Sequence, residues 1–201
     1  MRAAIVCSVV LAVGTLADAH ALDEYVQALR VAVSAGRVEL TLDLTPGANI
    51  AADVLHRLDA DDDGAVSPSE AEQYGRVVLS ELTLAVDGHR AVASLTHVDV
   101  SPVPEIRAGV GTIRIKAAAA ASTEAGAHRV DVRNDHHRPA SVYLANALIP
   151  DSSSVQIERQ SRDARQQAFS VDYRIEKNYR APTLWLALAS VATIVFVRVR
   201  W

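Results

Sequence analysis

Hydrophobic residues recur at every second position over most of the chain. Leu29, Val31 and Val33 would share one face of a strand. After Ser34-Ala35-Gly36-Arg37, Val38, Leu40, Leu42 and Leu44 would share one face of a second, with Glu39, Thr41 and Asp43 opposite. This predicts an opening β-hairpin that ends at Pro46-Gly47. The period then changes: Ile50, Val54, Leu55 and Leu58 have helical spacing, and a second helix is expected over 68–82. Alternation resumes at Leu82, Leu84 and Val86, turns at Asp87-Gly88, the favoured two-residue hairpin turn, and continues over 92–100. Further strands are expected at 110–117, 128–133, 141–148, 155–160 and 169–175, with turns at Arg138-Pro139 and Pro150-Asp151-Ser152. The run 117–121 is all alanine and reads as a strand end or loose connection. The expected fold is mainly β: a β-sandwich of about eight or nine strands, with a helix-loop-helix inserted between strands two and three.

Composition narrows the class. The chain has 201 residues, half of them hydrophobic, enough to bury a core in one domain. Mean hydropathy is +0.12, too low for a polytopic membrane protein. The formal charge of -4, with no basic stripe, excludes a nucleic-acid module. The acidity is local: Asp59, Asp61, Asp62, Asp63 and Glu70 fall within twelve positions.

The two ends give the chain an address. Residues 1–19 read as a secretory signal peptide, with Arg2 before an apolar stretch and Ala17-Asp18-Ala19 as the cleavage site, so the mature chain would begin at His20. Cys7, the single cysteine, lies in that segment and leaves the mature chain without disulfide or thiol chemistry. Residues 181–197 carry no charge and are mostly apolar. At about 1.5 Å per residue in a helix they reach roughly 26 Å, which flanking Trp185, Arg198 and Arg200 can extend. The expectation is an extracytoplasmic body at 20–180, a transmembrane helix at 181–197 and a cytoplasmic tail at 198–201.

One segment carries chemistry. Asp59-Ala60-Asp61-Asp62-Asp63-Gly64-Ala65-Val66-Ser67-Pro68-Ser69-Glu70 sets carboxylates at positions 1, 3, 5 and 12 and a glycine at position 6. Ca²⁺ takes six to eight oxygens, and a tight loop with side chains at 1, 3 and 5 turned inward supplies them. Asp59, Asp61 and Asp63 would give carboxylates, Ala65 its carbonyl, Ser67 a water-mediated contact and Glu70 two oxygens. Ser67-Pro68-Ser69-Glu70 also reads as a helix start with a capping box. Asp62 should face solvent.

These twelve residues resemble the EF-hand loop, which implies a helix on each side. EF-hands pair through position 8, here Val66. No second loop follows, so support must come from the sandwich or another molecule. An extracellular site of roughly 10⁻⁴ to 10⁻³ M would still fill, and a structural ion is expected over a switching sensor. The start His20-Ala21-Leu22-Asp23-Glu24-Tyr25, the acidic loop, Gly111-Thr112-Ile113-Arg114 and Val142-Tyr143-Leu144-Ala145-Asn146 together are similar to bacterial extracytoplasmic domains. Those domains join a strand-rich body to a single EF-hand, and some precede membrane regions like nickel/cobalt transporters. With one short hydrophobic segment, transport by this chain itself is not expected.

The seven histidines are His20, His56, His89, His97, His128, His136 and His137. Adjacent residues of a strand point to opposite faces, so His136 and His137 read as surface residues. His20, as a mature amino terminus, would offer both its amine and its ring to a transition metal. No nucleophile elbow, zincin motif or P-loop is present, and Asp131, Asn134, Asp135 and His136 read as strand-end residues. Gly109-Val110-Gly111 marks the start of a strand. The expected function is a membrane-anchored, Ca²⁺-stabilised binding or interaction domain and not an enzyme, with a membrane-protein or transporter partner conceivable. The alternative is an accessory protein handling nickel, cobalt or copper beside a transporter.

Overall fold

The structure, a computed structural model, describes residues 22–177. The expected signal peptide, His20, the hydrophobic segment 181–197 and the tail 198–201 lie outside the described residues. Among the described residues no helix is long and apolar enough to cross a membrane.

The fold is mainly β. Strands β1 (Tyr25–Ser34) and β2 (Arg37–Pro46) form the expected hairpin, in register from Tyr25 opposite Pro46 to Ser34 opposite Arg37. Helices α1 (Ala48–Leu58) and α2 (Pro68–Ser80) follow. Next come β3 (Leu82–Val86), β4 (His89–Ala91), β5 (Ser94–Val100) and a short helix, α3 (Val103–Arg107). The chain then runs through β6 (Ile113–Ala120), β7 (Gly126–Asn134), β8 (Ser141–Ala147), β9 (Val155–Arg162) and β10 (Ala168–Ile175).

These ten strands make two five-stranded sheets, ordered β5-β6-β2-β1-β8 and β4-β3-β7-β10-β9. Pairing is antiparallel except between β1 and β8. Period-two alternation turns one face of each sheet inward, and the inward residues of both belong to one buried cluster. Leu40, Leu42, Leu44, Ile113 and Ile115 come from the first sheet and Leu84, Val130, Val132, Phe169 and Val171 from the second. Each such side chain, fully buried, contributes about 1.5–3 kcal/mol.

The hairpin connections sort the molecule into two ends. At one lie the start of β1 and the end of β2 (Tyr25 opposite Pro46), and the start of β3 opposite Asn134 at the end of β7. Both α1 and α2 connect there, between β2 and β3. At the other lie the β1–β2 turn, Asp87-Gly88, the β8–β9 connection and the end of β10, where Ile175 pairs with Val155 and with Gly126.

Two expectations are corrected. Residues 92–100 do not continue the β3 hairpin as one strand. The hairpin partner β4 is only three residues long, and the chain crosses at Val92, 81% exposed, into the other sheet as β5. The alanine run is a strand end, as one of its two readings had it: β2 pairs with it from Arg37–Ala120 to Leu40–Ala117 and overrides alanine's poor strand preference. Strand β6 begins at Ile113 and not at Val110, because the glycines hold the chain against α3. The amides of Val110 and Gly111 both donate to the Glu105 carbonyl, and Gly109 has φ +79°.

A Cβ on Gly109 would sit 2.7 Å from the Ala48 backbone nitrogen at the start of α1. Both the positive φ and that contact oppose any side chain. Gly109→Ala is expected to lower stability by about 2 kcal/mol, read as an earlier urea midpoint with an unchanged m-value.

Candidate metal centre

The acidic loop is held by two helices anchored in the core. Helix α1 buries Ala51, Val54, Leu55 and Leu58 at the helical spacing, and Asp59 follows as its C-cap, with the Asp59 amide donating to the Leu55 carbonyl. Helix α2 starts at Pro68 with a full capping box: the Glu70 amide donates to Ser67 Oγ, and the Ser67 amide donates to Glu70 Oε2 at 2.8 Å. Its buried face is Ala71, Tyr74, Gly75 and Val78, and it packs on β5. Val66 is partly buried and packs against the core cluster that the two helices share with the sheets.

Within the loop, backbone amides turn the carboxylates inward. Asp59 is 7% exposed; its oxygens accept from the amides of Asp63 (3.1 Å) and Gly64 (2.9 Å). Asp61 Oδ1 accepts from the Asp63 amide at 3.3 Å, and Asp63 Oδ1 from the Ala65 amide at 2.8 Å. Gly64, with φ +83°, makes the sharp turn that these bonds need. Asp62 is exposed, with φ +56°, in the left-handed region that aspartate tolerates.

Oxygens of Asp59, Asp61 and Asp63 lie within 4.8 Å of one another. Two oxygens on opposite sides of one Ca²⁺ would be about 5 Å apart, at 2.3–2.6 Å from the ion, so this trio has the compactness the cation demands. Glu70 does not join the trio. Its Oε1 accepts from the amides of Ala60 (2.7 Å) and Asp61 (3.3 Å), and its Oε2 from the Ser67 amide and hydroxyl. It therefore ties the start of the loop to its end.

The electrostatics match. Lost hydration and the carboxylates of Asp63, Glu70 and Asp59 push the Asp61 carboxyl up, against a hydrogen bond from the Asp63 amide. The Ser67 hydroxyl and amide, then the amides of Ala60 and Asp61, hold Glu70 down at about 2, so it is an anion at neutral pH. The crowding of carboxylates around Asp61 is what a divalent cation would relieve.

Of the expected ligands, the structure gathers Asp59, Asp61 and Asp63, and places Glu70 and Ser67 at the adjoining helix start. Ala65 donates its amide to Asp63. Among the described residues no other three His, Cys, Asp or Glu lie close enough together to hold an ion. Asp131, Asn134, Asp135 and His136 do not converge: Asp131 bonds Arg129 and Ser170, Asp135 bonds Arg133, and Asn134 and His136 are buried.

That burial corrects the reading of His136 as a surface residue. It is 1% exposed and sits in a polar network between α2 and the first sheet. His136 Nδ1 meets Glu81 Oε2 at 2.5 Å, and its Nε2 faces the Tyr74 hydroxyl at 3.4 Å. The Tyr74 hydroxyl in turn lies 2.9 Å from that of Tyr25. Burial lowers the His136 pKa, opposed by Glu81. Gln27, fully buried on β1, donates to the His136 carbonyl and to Ser141 Oγ, and accepts from Asn134. One signal could have exposed this network: alternation puts Gln27 between Tyr25 and Leu29 on the inward face, where a lone polar residue needs partners.

No protein-family model, curated protein or solved structure matches the chain.

Proposed function

We propose that the protein is an extracytoplasmic Ca²⁺-binding protein in which one EF-hand stabilises a β-sandwich binding or interaction domain, anchored to the cytoplasmic membrane through residues 181–197. The observation that carries this reading is the convergence of Asp59, Asp61 and Asp63 oxygens within 4.8 Å, in a loop with glycine at position 6 and Glu70 at position 12. Asp59, Asp61, Asp63, the Ala65 carbonyl and Glu70 would hold the ion, with Ser67 acting through water. Bound Ca²⁺ would supply charge neutralisation and a rigid link between α1 and α2; the chain's residues orient the loop and fix the helices on the sandwich.

The role is structural. A sensor hand opens an apolar groove between its helices, usually with a paired hand beside it. Here the buried faces of α1 and α2 are already part of the core, so opening them would expose it. Abundant external Ca²⁺ would also keep the site filled. Calorimetric titration of the chain is expected to give one Ca²⁺ site, with no saturable heat from Ni²⁺ or Cu²⁺. Saturation at about 100 times Kd should add about 2.7 kcal/mol to stability without raising hydrophobic-dye binding by the folded protein. Strong dye binding on adding Ca²⁺ would replace the structural role with a sensor role, and absence of a Ca²⁺ site would remove the reading.

A further inference from the structure

We propose that Leu148, Ile149 and Pro150, in the β8–β9 connection, form a membrane-contact tip that seats this end of the body on the lipid surface. The inference rests on the membrane-anchor reading of residues 181–197. Ile149 is 91% exposed and Leu148 43%, two adjacent large aliphatic side chains followed by proline. Exposed apolar residues scattered singly need no explanation, and Val92 and Val110 are of that kind. An exposed Leu-Ile pair stiffened by a half-buried proline is different.

Its place in the fold decides what covers it. The last strand, β10, ends at the same end of the molecule, where Ile175 pairs with Val155, and the Glu176 amide donates to the Ser154 carbonyl at 2.7 Å. The chain therefore leaves the body beside the residues that close the β8–β9 connection. Ile149, Pro150 and Val155 line one shallow depression of about 490 Å³ there. From Lys177 only three residues precede the uncharged segment at 181, and the four steps to it span at most about 14 Å. A segment that enters a bilayer at 181 would hold this end of the body close to the lipid surface.

The hairpin turns Ala35-Gly36 and Asp87-Gly88 and the residues 121–125, also at this end, carry no large apolar side chain. The connection is not a loose flap, since the Leu148 amide donates to the Val31 carbonyl at 2.8 Å. Aliphatic side chains held at that level favour the headgroup–acyl boundary over water. Asp151 and Glu176 near the tip are offset by Arg174 and Lys177, so the local charge favours neither sign of headgroup and the contact is with the apolar boundary.

The test uses the full mature chain reconstituted into phosphatidylcholine vesicles. An Ile149→Cys variant carries an environment-sensitive dye, and a Val110→Cys variant is the exposed control before β6, at the opposite end of the body. Flotation first reports whether the chain is anchored. The expected result is a floating chain in which spin-labelled lipid quenches the dye at 149 several-fold more than the dye at 110. A floating chain with equal quenching, or none, at the two positions would overturn the tip and leave the anchor standing. Cross-linking between two copies at 149 without lipid quenching would overturn it in favour of self-association. A chain that does not float would overturn both readings.

Discussion

Glu70→Gln is expected to weaken Ca²⁺ binding by about 100-fold, which corresponds to about 2.7 kcal/mol of binding free energy. Loss of an outer-sphere partner alone costs 10- to 100-fold at metal sites, so loss of a charged ligand belongs at the upper end. The glutamine keeps one oxygen, the length of the side chain and a good helix propensity. It loses the second anionic oxygen, and with it bidentate coordination. Glu70 accepts from the Ala60, Asp61 and Ser67 amides and the Ser67 hydroxyl, and the single glutamine oxygen can keep only part of that set. The melting temperature without Ca²⁺ should therefore fall slightly, while the rise on adding Ca²⁺ should nearly vanish. Calorimetry and melting curves with and without a chelator separate the two effects. Unchanged Ca²⁺ affinity in this variant would remove the acidic loop from the proposed site.

The gathering of Asp59, Asp61 and Asp63 was legible because it is local: alternate positions in a loop turned by Gly64 bring three carboxylates together. Glu70, expected beside them, instead bonds the amides of Ala60, Asp61 and Ser67. The capping box at Ser67 and Glu70 is equally local, and the structure has it as the spacing predicts. The β1–β2 hairpin and the insertion of α1 and α2 before β3 follow from periodicity over ten or more residues. Short elements were lost for the opposite reason. Helix α3 has five residues, less than two turns, and β4 three, too few for any period to show. Strand β6 was expected three residues too early and ended three too early, because its start is set by the glycines against α3 and its alanine end by pairing with β2 and β5. His136 was lost because its burial is decided by α2 and Glu81, more than fifty residues earlier in the chain. No local pattern carries that.

Gln27→Leu should be among the most damaging single substitutions at a polar position. The side chain is fully buried, and all its hydrogen-bonding groups are used: Nε2 donates to the His136 carbonyl (2.9 Å) and to Ser141 Oγ (2.7 Å), and Oε1 accepts from Asn134 Nδ2 (2.8 Å). Leucine has nearly the same volume, so the loss is one of polar partners and not of packing. The consequences differ among the three. The His136 carbonyl still accepts from the Tyr143 hydroxyl, and Ser141 still donates to the His137 carbonyl. Asn134 is 3% exposed and loses its acceptor, so a buried donor is stranded at a cost of about 1–3 kcal/mol. With the two other bonds lost, the total is about 3 kcal/mol, or a fall of roughly 6–12 °C in Tm for a domain of this size. Asn134 Oδ1 also accepts from the His136 amide, so the damage should spread to the histidine and loosen its contact with Glu81 at the end of α2. If the stranded donor is the main cost, Asn134→Leu made on top of Gln27→Leu should be less destabilising than the two single changes added together. Strict additivity in that double-mutant cycle would show that the two amides are not coupled, and the buried network would then not be what fixes α2 to the first sheet.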